Sequence, residues 1–325
     1  MPRFGLAAML TPGIISSGFN LQGVSVKQFK GWSLSLVAGL WMASASAFPV
    51  NPTVSLSSFA RPFHQADLRG VNFEGIIALS NCSGALVRYE SSIDDDQAMV
   101  LTNGHCNEQG FIEPNTFIMN SESDRSFAVL EASSGNSMGN IQAEKVLYAT
   151  MTKTDVTLYR VKQTYRQIKE KFNVRPLTLS SKIAAPGQKI EIVSGYWKRG
   201  YACEIEYLVD TLKEDAWTMR NSIRYTRPGC QTIHGTSGSP IIAAGSDQVI
   251  GINNTGSDNG EQCTMDNPCE VNEDGTVIAE KGVSYGQQIA LFYSCLDSEM
   301  RFDLKLPTCR LPGGAKSGER AFRVR

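Results

Sequence analysis

The sequence predicts an all-β fold, a barrel or a sandwich, and three observations carry that expectation. From Gly75 onward, short runs of apolar, β-prone residues recur with polar or glycine-containing turns between them: Gly75-Ile76-Ile77-Ala78-Leu79, Gly84-Ala85-Leu86-Val87 and Ala98-Met99-Val100-Leu101. No long amphipathic helix interrupts the chain between Gly75 and Val161, which argues against βαβ units. A second β-rich half follows, with alternating Lys189-Ile190-Glu191-Ile192-Val193, then Gly195-Tyr196-Trp197, Ala202 to Tyr207, the apolar run Ile241-Ile242-Ala243-Ala244, and Val249-Ile250-Gly251-Ile252.

Lys27 and Lys30 precede an apolar stretch from Trp32 to Met42, which passes into Ala45-Ser46-Ala47 and then Phe48-Pro49. A basic start, a short apolar segment and a small-residue site make a secretory signal peptide, cleaved after Ala47. A membrane anchor would need about 20 apolar residues, roughly twice this run. The lead before Lys27 is long for such a signal, and translation is expected to begin downstream, near Val24. Residues from Phe48 to about Arg69 mix prolines with small polar residues and read as a lead-in or propeptide; His64 falls there, as an exposed residue. The charged stretch Arg166 to Phe172 fits one solvated helical turn. Ile289, Leu291-Phe292 and Cys295-Leu296 have helical spacing and predict a closing helix. From Arg310 the chain is polar and basic, and a frayed, solvated tail is expected.

Composition excludes some classes of function. With 42% hydrophobic and 19% charged residues the chain is globular rather than disordered. Lys+Arg 31 against Asp+Glu 32 leaves no net field to draw nucleic acid or an anionic membrane, so neither is an expected partner. All eight cysteines lie beyond Ala47, and an even number in an exported chain reads as disulfides. There is no Cys-x-x-Cys and there are only three histidines, which argues against structural zinc. Eight cysteines allow 105 connectivities, so local context must choose among them.

Three short stretches carry the chemistry. Gly235-Thr236-Ser237-Gly238-Ser239-Pro240 is a small-residue turn before an apolar run. Its glycines permit positive φ and let a substrate carbonyl approach the backbone, so N–H groups there can face a developing oxyanion. At Leu101-Thr102-Asn103-Gly104-His105-Cys106 a β run ends in a turn with a histidine beside a cysteine. Cys82-Ser83-Gly84, at the start of a strand, offers the partner for Cys106, and such a bridge would hold the imidazole where a general base has to stay. In Thr154-Asp155-Val156-Thr157-Leu158 one acid opens a β-prone segment, as expected of a carboxylate that orients an imidazole. Asp94-Asp95-Asp96 reads instead as an exposed loop. Taken singly, each motif also fits an ordinary hairpin turn, a structural histidine or a solvated aspartate.

Together, these three segments resemble the signature segments of the trypsin/chymotrypsin-like serine endopeptidases, in that family's order His, Asp, Ser. Cys82-Ser83-Gly84 also resembles the family strand that is disulfide-bonded to the cysteine after the histidine. The resemblance covers about Gly75 to Leu296. It implies two six-stranded antiparallel β-barrels with a C-terminal helix, the barrels at 71–165 and 166–300, preceded by the signal at 1–47 and the lead-in at 48–70 and followed by a tail at 301–325. It implies catalysis by His105, Asp155 and Ser237, with the backbone N–H groups of Gly235 and Ser237 as oxyanion hole, on protein or peptide substrates, by a secreted or periplasmic monomer without metal or cofactor. Cys203 with Cys230, Cys263 with Cys269, and Cys295 with Cys309 are the remaining expected pairs.

The chain departs from the digestive trypsins at Thr236, where those enzymes carry the aspartate that pairs with a new amino terminus. In this it resembles bacterial secreted members, including glutamyl endopeptidases. By family position the primary pocket is lined by Gln231, Thr232 and Ile233, by Asn253, Asn254, Thr255 and Gly256, and by Gly282 and Val283. Gln231 stands at the expected pocket base, which disfavours a basic preference there. His234 is a candidate cation for a polar or acidic one. The alternatives are a catalytically silent binding module and an esterase with the same triad.

Overall fold

The computed structural model describes residues 70–316 and the backbone of Arg323–Val324. The expected signal peptide at 1–47, the lead-in with His64 and the rest of the tail lie outside the described residues. Seven strands come first: β1 (Ile76–Ala78), β2 (Ser83–Arg88), β3 (Gln97–Thr102), β4 (Thr116–Glu122), β5 (Ser126–Leu130), β6 (Ser137–Thr150) and β7 (Val156–Thr164). Six of them close on themselves, in the order β1-β2-β3-β7-β6-β5 and back to β1, every pair antiparallel. The seventh, β4, pairs with the far half of β6. Closure leaves no unpaired edge, and side chains such as Leu86, Val100, Phe127 and Tyr159 fill the interior with essentially no exposure.

A helix, α1 (Tyr165–Phe172), then leads out of the first barrel. It has two turns rather than the single solvated turn expected. Thr164 and Gln167 form a reciprocal capping box at its start, and Tyr165, Ile168 and Phe172 bury one face. Next come β8 (Leu177–Leu179), β9 (Lys189–Ser194), β10 (Arg199–Glu214), β11 (Trp217–Tyr225), β12 (Pro240–Ala243), β13 (Gln248–Gly256), β14 (Cys269–Val271), β15 (Val277–Ile278) and β16 (Ser284–Gln288). Strands β9-β10-β11-β16-β13-β12 close a second antiparallel six-stranded barrel, β12 returning to β9. β8 runs parallel to the end of β2 and to the start of β13, and so ties the barrels together. The fold is the double barrel of the chymotrypsin type.

Three local expectations change. Gly195-Tyr196-Trp197 is the turn between β9 and β10, not a strand. The closing helix is a single short 3₁₀ segment, Ala290–Cys295, which still buries Ala290, Phe292 and Cys295. The start of the tail is docked rather than solvated: Leu311 is buried and the Tyr148 hydroxyl donates to the Pro312 carbonyl at 2.9 Å. Leu311 covers core that the first barrel would otherwise expose, and a disulfide secures the segment. The four disulfides are Cys82–Cys106, Cys203–Cys230, Cys263–Cys269 and Cys295–Cys309. No helix among the described residues is long and apolar enough to cross a membrane.

Candidate active site

The histidine turn is built by close approach. β3 ends at Thr102, whose hydroxyl donates to the Ser83 carbonyl at 2.8 Å, and the Asn103 amide donates to the Asp155 carbonyl at 2.8 Å. At Gly104 an added Cβ would lie 2.2 Å from the Thr150 carbonyl oxygen and 2.8 Å from Asp155 Oδ1, so only glycine lets the turn sit down on the aspartate. Asp155 is buried, and it grips His105 at two points: Oδ1 accepts the His105 backbone N–H at 3.0 Å, and Oδ2 pairs with ring Nδ1 at 2.7 Å. An ionised carboxylate can only accept, so Nδ1 donates to it, and in the neutral imidazole this leaves the lone pair on Nε2. Burial pulls the His105 pKa down, but the charge and hydrogen bond of Asp155, with Glu214 and Asp266 farther off, leave it above the ordinary histidine value.

The serine turn is held by backbone and side-chain hydrogen bonds together. Its own fold is set by the Thr236 N–H to Ile233 carbonyl and the Ser239 N–H to Thr236 carbonyl bonds, each 3.0 Å. The Ser83 N–H reaches the Ser237 carbonyl at 2.8 Å, binding the turn to β2 of the other barrel. Gly238 has φ +82°, and a Cβ there would lie 2.1 Å from the Ser83 carbonyl oxygen. The Ser237 hydroxyl donates to the Asn254 carbonyl at 3.0 Å. The Trp197 indole N–H donates to the His234 carbonyl at 2.5 Å, and the Ser83 hydroxyl donates to the Gly235 carbonyl at 3.0 Å. In a trans peptide C=O and N–H point opposite ways, so pinning the His234 carbonyl on Trp197 turns the Gly235 N–H away from the indole, and Gly235 lines the cleft. Thr236 is fully buried, with its hydroxyl 3.4 Å from that of Tyr201.

His105, Asp155 and Ser237 line one cleft of about 310 Å³, together with Thr232, Ile233, His234, Gly235, Asn253, Asn254, Thr255 and Gly256. The side-chain amides of Asn253 and Asn254 are already engaged. The Tyr225 hydroxyl donates to Asn253 Oδ1 at 3.2 Å, and Asn254 Nδ2 turns to the Met219 sulfur at 2.9 Å. Gln231, Gly282 and Val283 are not among the lining residues. Gln231 is exposed, because its neighbours are fixed inward: Cys230 is buried in its disulfide, and the Thr232 N–H donates to Ser284 Oγ at 3.1 Å. His234 lies 2.8 Å from Asp258 Oδ2 and 3.8 Å from Asp266 Oδ1. The hydrogen bond to Asp258 raises its pKa, and any charge it takes up is already matched by carboxylates.

Several lining residues carry no local signature. The hairpin of β10 and β11 reaches across to the first barrel, where Lys153 N–H donates to the Thr218 carbonyl at 2.9 Å and Arg220 N–H to the Lys153 carbonyl at 2.8 Å. At its tip the Trp217 indole donates to the Ile112 carbonyl at 2.9 Å, and its ring meets Phe111 edge to face at 5.5 Å. Glu214 lies on the same wall; its Oε1 accepts the Thr255 hydroxyl at 3.0 Å and the Asp266 N–H at 2.9 Å. Burial pushes the Glu214 carboxyl up to about 7. In the sequence, Lys213-Glu214-Asp215-Ala216 reads as a plain polar turn, and only the adjoining Trp217 signals something more.

Among solved structures the chain is similar to the MamO protease domain from Magnetospirillum magneticum, at 13% identity over 70% of this chain and 99% of that one, with a TM-score of 0.43. It is also similar to Nocardiopsis protease (15% identity, 66% and 90% covered, TM-score 0.38) and to mouse neuropsin (16%, 70% and 94%, 0.40). No curated protein sequence matches the chain. The family model of the trypsin-like peptidase domain matches residues 82–252, just over half of the 325 residues. The chain therefore belongs to the trypsin-like peptidase family and is a serine endopeptidase, a hydrolase.

Proposed function

We propose that the enzyme cleaves peptide bonds through Ser237 as nucleophile, His105 as general base and acid, and Asp155 as the group that orients His105. The observation that carries this is the two-point grip of Asp155 on His105, in the same cleft as a serine on a glycine-flanked turn. Rotation about the Ser237 Cα–Cβ bond takes Oγ off the Asn254 carbonyl toward His105. Oγ then bonds to the scissile carbonyl carbon while its proton passes to Nε2, and the carbonyl oxygen becomes an oxyanion facing the N–H groups of Gly235 and Ser237. His105 returns the proton to the leaving amine, the C–N bond breaks, and an acyl-enzyme remains. Water repeats the sequence and frees the carboxylic acid.

On this reading residues 71–165 supply His105 and Asp155, and residues 166–300 supply Ser237. Thr236 has no carboxylate with which to draw in a new amino terminus, and the fixed His234–Gly235 peptide supports a site assembled by folding alone. Four disulfides support export to an oxidising compartment, after cleavage at Ala47. The test is Ser237→Ala: kcat falls by about a millionfold, the melting temperature holds, and labelling by a serine-directed fluorophosphonate disappears. Hydrolysis at the parent rate by Ser237→Ala refutes the assignment. Cleavage of peptide amides as well as esters by the parent enzyme sets it apart from an esterase.

A further inference from the structure

We propose that Glu214 is a specificity-determining residue, whose carboxylate receives a lysine or arginine side chain from one of the four substrate residues before the scissile bond. This deepens the protease reading and rests on the cleft being the substrate site. Glu214 adjoins Thr255, the residue after Asn254, whose carbonyl holds the Ser237 hydroxyl. Its carboxylate therefore lies against β13, the strand that borders the nucleophile. Both hydrogen bonds it accepts go to Oε1 and come from neutral donors. Oε2 has no hydrogen-bond partner among the described residues and is not enclosed, and Glu214 lines the cleft.

The surroundings select a long basic side chain. The described lining residues include four carboxylates, Asp155, Glu214, Asp258 and Asp266, and no lysine or arginine. Asp155 is committed to His105, and Asp258 and Asp266 face His234, which leaves Glu214 as the one without a cation. A partly buried carboxylate without a cation is costly and gains most from acquiring one. Trp217, Phe111, Met219 and Met265 line the same cleft and offer apolar surface to a methylene stem, with ring faces for its charged head. A small inorganic cation would leave that surface unused.

The test is peptide binding to Ser237→Ala protein at pH 8, where Glu214 is ionised, so that the readout does not depend on turnover. Each peptide carries lysine or neutral norleucine at one of the four positions before the scissile bond. At one of these positions lysine is expected to bind about tenfold tighter or more. Adding Glu214→Gln, which keeps the shape and the Oε1 acceptor, should bring that ratio close to one, and adding Asp258→Asn should leave it within twofold. A bracing role alone predicts that Glu214→Gln weakens both peptides equally. Equal binding of lysine and norleucine peptides at all four positions, or a ratio untouched by Glu214→Gln, overturns the proposal. Failure of the parent enzyme, with Ser237 intact, to take up the fluorophosphonate would count against the serine mechanism instead, while the binding ratio is read independently.

Discussion

Trp197→Phe isolates one hydrogen bond in the proposed oxyanion hole. The indole N–H holds the His234 carbonyl at 2.5 Å, and this fixes the direction of the Gly235 N–H. Phenylalanine keeps an aromatic ring near Gly235, where an added Cβ would lie 2.9 Å from both the indole nitrogen and the Tyr196 ring, but it donates nothing. A neutral hydrogen bond contributes about 0.5–1.5 kcal/mol net, so the productive orientation of the peptide loses about that much of its bias. Turnover should fall roughly 2- to 13-fold. The ceiling is loss of a complete oxyanion donor, about 2.7–4 kcal/mol. The effect stays below it because the Ser83 hydroxyl still holds the Gly235 carbonyl from the other side. Since the N–H acts on the charge that develops in the transition state, KM should stay in place while kcat falls. The assay is steady-state hydrolysis of a peptide anilide, paired with the inhibition constant of a peptide boronate, which should weaken by the same factor as kcat. An unchanged kcat, or a rise in KM at constant kcat, refutes this account of Trp197.

Two further outcomes follow from the site and its support. In the proposed mechanism His105 acts as a base in its neutral form, and its pKa lies above the ordinary value, so kcat/KM should climb with pH on a limb centred above about 6.5 and then level off. Asp155→Asn removes the carboxylate that raises it while burial continues to lower it, so the limb should move to lower pH as kcat drops by about 10⁴; a pH–rate profile of the two proteins reads both. Replacing Cys82 and Cys106 by alanine opens a loop with a sequence separation of 24 and should lower stability by about 3 kcal/mol, measured by denaturant unfolding. A loss under about 1 kcal/mol would show that the hydrogen bonds of the turn hold His105 without the bridge.

The β runs were legible because strands closed into a barrel must present apolar side chains inward, and Gly84 to Val87 or Lys189 to Val193 show that pattern locally. Gly195-Tyr196-Trp197 looked equally β-prone and is a turn, because aromatic preference does not record that a chain reverses between two paired strands. The polar, basic composition after Arg310 pointed to solvent, yet Leu311 is buried, since one apolar residue beside a disulfide is enough to dock a short segment. His105, Asp155 and Ser237 could be picked out because each lies in a short segment whose neighbours set its own turn. Gln231 could not be placed from its position beside the serine turn, because the inward anchoring of Cys230 and Thr232 decides which way the residue between them faces.

By itself, then, the sequence determined what is local: strand-forming runs, glycines where backbone must pass close to backbone, and three chemically apt side chains in a telling order. Tertiary structure alone decided what meets across long separations. It brought the tip of the β10–β11 hairpin against the first barrel, set Glu214 beside Thr255, neutralised His234 with Asp258 and Asp266, and laid the Trp197 indole on the peptide before Gly235. The hydrogen bonds and charge pairs of the cleft walls join residues from separate turns. Their partners are chosen by how the two closed barrels are tied together, which no short stretch of chain records.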